Sequence, residues 1–509
     1  MSRSIVVRVV LSVVTATSVF WMIGCLGRNS FLAGRPFPPS TILERVLVAI
    51  QNPSPITTGA LQILDARYDI RNAENGSVAD FFISGYKGDL PSLILNYPEQ
   101  SAGYVYASGD GSLTAINYGT ESATGSIGGQ LPGLSSSIFV PSSGSYIVAA
   151  SQTAQFVTVE DRVQGVTVYL NLPNVYKVEV NPSATVMLAF VQNNNYAYRI
   201  IHLQQPNGNV APVPTFPNEA NWPKGVAPVD CQPINLPVYC VVPVLDQHGN
   251  PIVFDRPYNT IFSPDGTTGW LLNCGPECGG QQSSVSFLNM GVLDIYNFPG
   301  SSYPTPPANP APPTEERRVP VPGGATMALY GPPVNLAQQT YPVPGGAILY
   351  VSGQQLQKDG LFEGFLSVLN LASNQVTATY PISDGTHTKM LFGDDNTLWI
   401  GSQLCQTGER VATNQKETGC LTMFNVATNS VLVEPWYGDL TGLCAILQWH
   451  KMYTAYGGQI HIYATTSNVG ITTSTVGYTA GSELYNGNAT VQGTAFDVAY
   501  MDAITNASD

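Results

Sequence analysis

Apolar residues in this chain fall in short runs at strand spacing. From Pro91 to Ile127 (PSLILNYPEQSAGYVYASGDGSLTAINYGTESATGSI) the runs Leu93–Asn96, Gly103–Ala107, Ser112–Tyr118 and Thr124–Ile127 are rich in Val, Ile, Tyr and Thr. Turn residues separate them, as at Gly109-Asp110-Gly111. Short β-prone runs bounded by Gly, Pro, Asn, Asp and Ser predict a small antiparallel sheet.

The pattern recurs down the chain. It returns in Ser137–Val140, Ser145–Ala150 and Phe156–Glu160, then in Tyr176–Val180, Thr185–Val191 and Tyr196–Leu203. Tyr258–Phe262, Gly269–Asn273 and Ser284–Asn289 repeat it, followed by Ala325–Tyr330, Ala347–Ser352, Gly364–Asn370 and Gln375–Tyr380. Lys389–Phe392, Thr397–Gly401, Cys420–Val426 and Ser430–Glu434 come next, and Leu443–Gln448, Lys451–Tyr456 and Gln459–Ala464 complete the series. The turn Asn370-Leu-Ala-Ser-Asn374 reappears as Asn425-Val-Ala-Thr-Asn429, 55 residues later and at the same place in its sheet. Four-stranded repeats of roughly 40–80 residues predict an all-β chain folded as a single β-propeller. Upstream, Val46–Gln51 and Gly59–Asp65, with Ser77–Tyr86 as outer strand, make a first sheet without an innermost strand. Thr494–Asp502 has no partners of its own and is placed to supply that strand, closing the ring and covering its edges. Counting second strands gives eight blades, with seven as the alternative.

The units from Pro91 onward resemble the bacterial YVTN-type, lactonase-like propellers. Ala102-Gly103-Tyr104-Val105-Tyr106, Ser263-Pro264-Asp265-Gly266 and Val368-Leu369-Asn370-Leu371-Ala372-Ser373-Asn374 carry the resemblance, which covers most of residues 45–503. It implies the propeller fold. Enzymatic members rely on acids and basic residues around the central channel, and no local motif here carries any of those across.

Composition agrees with the pattern: 11% charged residues with 49 Gly, 39 Pro and 26 Tyr fit an all-β protein and not a disordered one. The N-terminus adds an address. Arg3 and Arg8 precede an uncharged run from Val9 to Gly24, shorter than the roughly 20 residues of a spanning helix, so a signal peptide is expected. Met22-Ile23-Gly24-Cys25 resembles the bacterial lipoprotein processing box, which implies cleavage after Gly24 and a lipid on Cys25. Leu26 stands where an inner-membrane retention signal would place Asp. The expected location is therefore the bacterial cell envelope, lipid-anchored, with the outer membrane favoured. The expected layout is a signal peptide at 1–24, a lipidated N-terminus and tether at 25–44, the propeller at 45–503 with insertions at 204–250 and 299–322, and a tail at 504–509. Losing residues 1–24 removes two Arg and no acid, moving the formal charge from −14 to −16. That excludes nucleic acid as a partner, because phosphate binding needs concentrated Lys and Arg.

Candidate chemistry is sparse. No H-E-x-x-H, C-x-x-C-H, G-x-S-x-G or calcium-loop pattern is present, so no catalytic, cofactor or metal set is assigned. His202 and His461 lie in predicted strands and His450 adjoins a turn. Asp384 and His387, close together in Ser383–Thr388, are the candidate ligand face, since an Asp–His pair can act as a base or hold a metal. Of the cysteines beyond Cys25, an exported chain predicts disulfides within Cys231/Cys240, Cys274/Cys278 and Cys405/Cys420, leaving Cys444 as a buried thiol. A zinc site from the first four fits compact zinc modules poorly. Tyr330, Tyr341, Trp399, Trp436, Tyr437 and Trp449 would make a sugar-stacking platform if exposed, but strand positions favour core packing. The loops Cys274–Ser283, Gln354–Glu363, Gln403–Gly419, Pro299–Pro322 and Ser383–Thr388 are enlarged and are expected on one face. The expected function is a monomeric, membrane-tethered module that binds or scaffolds a protein, peptide or glycan through these loops. The alternative is a lactonase-like or other hydrolytic enzyme in the channel. Fold does not choose between them.

Overall fold

A computed structural model describes residues 38–502, apart from short internal stretches of which the longest are 70–79, 303–311, 332–347, 406–418 and 466–478. The signal peptide, Cys25, most of the tether, the C-terminal tail, Tyr341 and Trp436 lie outside the described residues. Eight antiparallel sheets form an eight-bladed propeller. Blade two is the plain unit read above, with strands Pro91–Tyr97, Ala102–Ala107, Leu113–Asn117 and Ser122–Ser126 in order from the channel outward. Blade one is closed as expected: Thr494–Tyr500 pairs with Arg45–Ser54, which pairs with Thr57–Asp65, and Phe81–Phe82 is the outer edge.

The ring is held at the borders between blades. Each of the eight borders contains its own buried apolar cluster. Val48, Leu64, Tyr453 and Ile462 join blades eight and one. Trp399, Leu421, Met452 and Tyr463 join blades seven and eight. Alternation in each strand sends side chains to both faces of its sheet, so every blade is apolar on both sides. Trp399 is fully buried, in keeping with core packing.

The repeated Asn turn has a physical explanation. Asn370 Oδ1 accepts from the amides of Ala372 and Ser373, both at 2.9 Å, and Asn374 closes the turn with φ 56°. Asn425 accepts from Ala427 and Thr428, both at 3.0 Å, and Asn429 has φ 58°. An amide side chain that caps its own turn, followed by a residue able to adopt the left-handed conformation, is what Asn supplies. Asp161 performs the same capping for Val163 and Gln164, and Gly165 takes the left-handed position.

Two departures from the sequence reading concern blades four and five. Blade four has five strands, because Asp230–Gln232 in the long insertion pairs outside Tyr239–Pro243. The rest of that insertion covers a further apolar cluster containing Ile201, Leu203, Phe216 and Val242. In blade five, Glu315–Pro320 is the fourth strand. The Pro-rich stretch before it is thus a third-to-fourth connection, which leaves the sheet on the face opposite the other enlarged loops. The charged sequence Glu315-Glu316-Arg317-Arg318 hid a strand: on an outer edge one face meets water, so apolar content is low.

Candidate functional site

Second-to-third and fourth-to-first connections share one face of the ring. On it, blade five carries the loop closed by Cys274–Cys278, blade six a ribbon paired out to Leu356 and Phe362, and blade seven the loop closed by Cys405–Cys420. Glu277 Oε2 accepts from the Gln354 amide at 2.9 Å, and Gln354 Oε1 accepts from the Gly385 amide at 3.1 Å. The Leu404 amide donates to Asp439 Oδ1 at 2.8 Å. Loops from blades five to eight are therefore tied across three blade borders. Gly385 is required there: its φ is 86°, and a Cβ would sit 2.5 Å from the Gln403 carbonyl oxygen. Val253, Leu356, Leu404 and Tyr437 project from the same face and are 53%, 48%, 78% and 43% exposed.

Asp384 and His387 lie beneath this surface. Both are buried. His387 Nε2 donates to the Ser383 carbonyl at 2.9 Å, which fixes the neutral tautomer, while Nδ1 meets no partner among the described residues. Burial lowers its pKa to about 4. A neutral histidine bonded to the backbone holds the start of its strand, and the pair does not face solvent.

The channel contains the charges that local reading passed over. On the innermost strand of blade four, Lys177 Nζ lies 3.1 Å from Glu179 and 5.5 Å from the centre of the Tyr258 ring in blade five. Glu277 lies near Tyr258, and burial raises its carboxyl to about 7. Toward the opposite face the channel holds a cavity of about 500 Å³ lined by blades six, seven, eight, one and two. Its walls include Ile94, Leu329, Leu391, Leu443 and Val498, and its charged pair is Lys389 Nζ to Asp497 Oδ1 at 3.3 Å. Lys389 of blade seven reaches past the innermost strand of blade eight to Asp497 of blade one. An acid inside the otherwise apolar run TAFDVAY was visible in the sequence, but its partner 108 residues away was not.

The three disulfides are those expected, Cys231–Cys240, Cys274–Cys278 and Cys405–Cys420. Cys444 is a buried free thiol on the cavity wall. Its pKa is raised by burial, beyond the range in which a thiolate forms. His202 stacks on Tyr239 and His461 on Tyr437, both within strands. Among the described residues, no three His, Cys, Asp or Glu side chains gather as a metal site would require. Tyr330 stacks on Trp270, and Trp449 packs against the border of blades eight and one.

No family model matches the chain, and no curated protein sequence matches it. Among solved structures it is similar to the periplasmic gluconolactonase of Pseudomonas aeruginosa, at 14% identity over 91% of this chain and 99% of that one, with a TM-score of 0.38. It is also similar to dihydro-heme d1 dehydrogenase NirN, at 12% identity over 90% of this chain and 78% of that one, with a TM-score of 0.48. The β-propeller domain of Cps50 from Myceliophteria thermophila matches at 10% identity over 74% and 97%, with a TM-score of 0.39. At these identities the likeness extends to the fold alone.

Proposed function

We propose that this chain is a lipid-tethered envelope protein whose propeller binds a protein or peptide partner through the loop face of blades five to eight. The observation that carries the reading is that face itself. Its loops are joined by hydrogen bonds across blade borders, stapled by two disulfides, and topped by Val253, Leu356, Leu404 and Tyr437. Exposed apolar anchors on loops held by such ties lose less entropy on binding, which favours the face as a docking platform.

The reading of a tether rests on Met22-Ile23-Gly24-Cys25, and the described chain starts on the ring itself. Ser40 donates its amide to Glu121 at 2.7 Å, and Arg45 joins Glu121 at 3.0 Å and Asp502 at 2.5 Å. These groups lie on the face opposite the enlarged loops, so the described chain begins away from the docking face.

The test has two arms. Cys25→Ala is expected to move the protein from the membrane fraction to the soluble fraction, and unchanged retention would refute the tether. Cross-linking in intact cells is expected to yield a specific adduct that the double variant Leu356→Asp, Leu404→Asp loses while keeping its melting temperature. An identical adduct pattern from that variant would overturn the docking face. Turnover of a lactone or ester by the purified protein would favour the enzymatic alternative.

A further inference from the structure

The channel cavity is a site separate from the docking face. It lies toward the opposite end of the channel, and its volume of about 500 Å³ falls within the range of small-molecule sites, roughly 300–1,000 Å³. Its wall combines apolar side chains such as Leu391, Leu443 and Val498 with polar groups at Asn96, Tyr330 and Tyr500, and its charged pair is Lys389 and Asp497. The two charges are unequally satisfied. Asp497 is buried, and its carboxylate accepts from the backbone amides of Ile94 at 2.9 Å and Val498 at 3.0 Å. Lys389 makes one contact to Asp497, at 3.3 Å, and its side chain is 31% exposed toward the open channel. Its two other N–H donors meet no acceptor among the described residues. An ammonium that holds one carboxylate and keeps N–H donors turned to the channel can take a second anion that completes its hydrogen bonds.

We propose that this cavity binds a small carboxylate with an apolar body. The carboxylate would bond Lys389 Nζ, and the body would lie against Leu391, Leu443 and Val498. A matched neutral amide offers the same shape and an acceptor oxygen without the charge, so the preference for the acid over the amide is the signature of the site.

Calorimetric titration of the folded protein with hexanoate and phenylacetate, with hexanamide as comparison, tests this directly. Wild type is expected to bind at least one acid, and to bind it more tightly than its amide. Lys389→Met is expected to weaken acid binding by about tenfold or more, one charged hydrogen bond being worth that much. Leu443→Trp, which fills the cavity and leaves Lys389 in place, is expected to abolish it. Both variants are checked for an unchanged circular dichroism spectrum, and if Lys389→Met does not fold, Leu443→Trp and the amide comparison decide. Absence of binding by both acids, equal affinity for acid and amide, or undiminished binding by either folded variant would overturn the proposal.

Discussion

Glu277 shows how one side chain can set the pH response of a surface. Its carboxyl is raised from 4.5 to about 7, mainly by burial, while the Gln354 amide bonds the charged form and limits the rise. Below the unfolded value both states are protonated and the group is neutral to stability. As pH rises through the window from 4.5 to about 7, the unfolded chain releases its proton first, so folding loses stability. Above that window the loss is constant. Glu277→Gln keeps an acceptor for Gln354 and removes the charge. It is expected to raise stability at pH 8 by about 1–2 kcal/mol and to leave it unchanged at pH 4, as read by melting temperature across that range. Arg45 is the opposite case. It is buried between Glu121 and Asp502, and removing it leaves two acids facing each other without a cation. Arg45→Met is expected to cost about 3–5 kcal/mol in urea unfolding, and a loss below 1 kcal/mol would show that solvent reaches both acids. Residues of this kind were the least legible in the sequence. Asp384 and His387 stood out because they are near each other in the chain, yet both are buried. Lys389 and Asp497 meet across the channel and carry no local motif.

At the level of elements the sequence was far more informative, and the turns explain why. A five-residue turn capped by Asn or Asp forms from local hydrogen bonds alone, so Asn370–Asn374 and Asn425–Asn429 could be recognised as copies without knowing the fold. The same geometry at Asp161–Gly165 escaped notice because Asp and Gly replace the two Asn residues. Strands with two apolar faces were also readable. The outer strand Glu315–Pro320 was not, since edge position and water relax the apolar pattern. The disulfides sit where elements depart from the plain blade. Cys405–Cys420 spans 15 residues of sequence, for which loop closure contributes about 3 kcal/mol. Cys405→Ser with Cys420→Ser is expected to lower stability by an amount of that order in urea unfolding. Mild reductant should have no further effect on that transition unless the other two disulfides also open.

At the scale of the whole molecule, eight borders with eight clusters make a closed ring in which each blade depends on both neighbours. Blade one is completed by strands from the two ends of the described chain, Arg45–Ser54 and Thr494–Tyr500. A chain lacking residues 494–509 is expected to expose the edge at Val46–Gln51 and to self-associate, giving larger, concentration-dependent species by light scattering. A synthetic peptide of residues 494–502 should reverse that association, and a truncated chain that shows no association beyond the full chain's would refute the role of that strand as a clasp.

That clasp also sets a clock. When the ribosome has finished the first blade's own strands, the strand that seals it is still more than four hundred codons away. At about 5–20 residues per second, the interval is on the order of half a minute. Through all of synthesis the nascent ring stays unsealed, and the last step of folding waits for the final segment to arrive. Until then the first blade keeps one edge of Arg45–Ser54 unpaired, so the ring cannot close before Thr494–Tyr500 is in place.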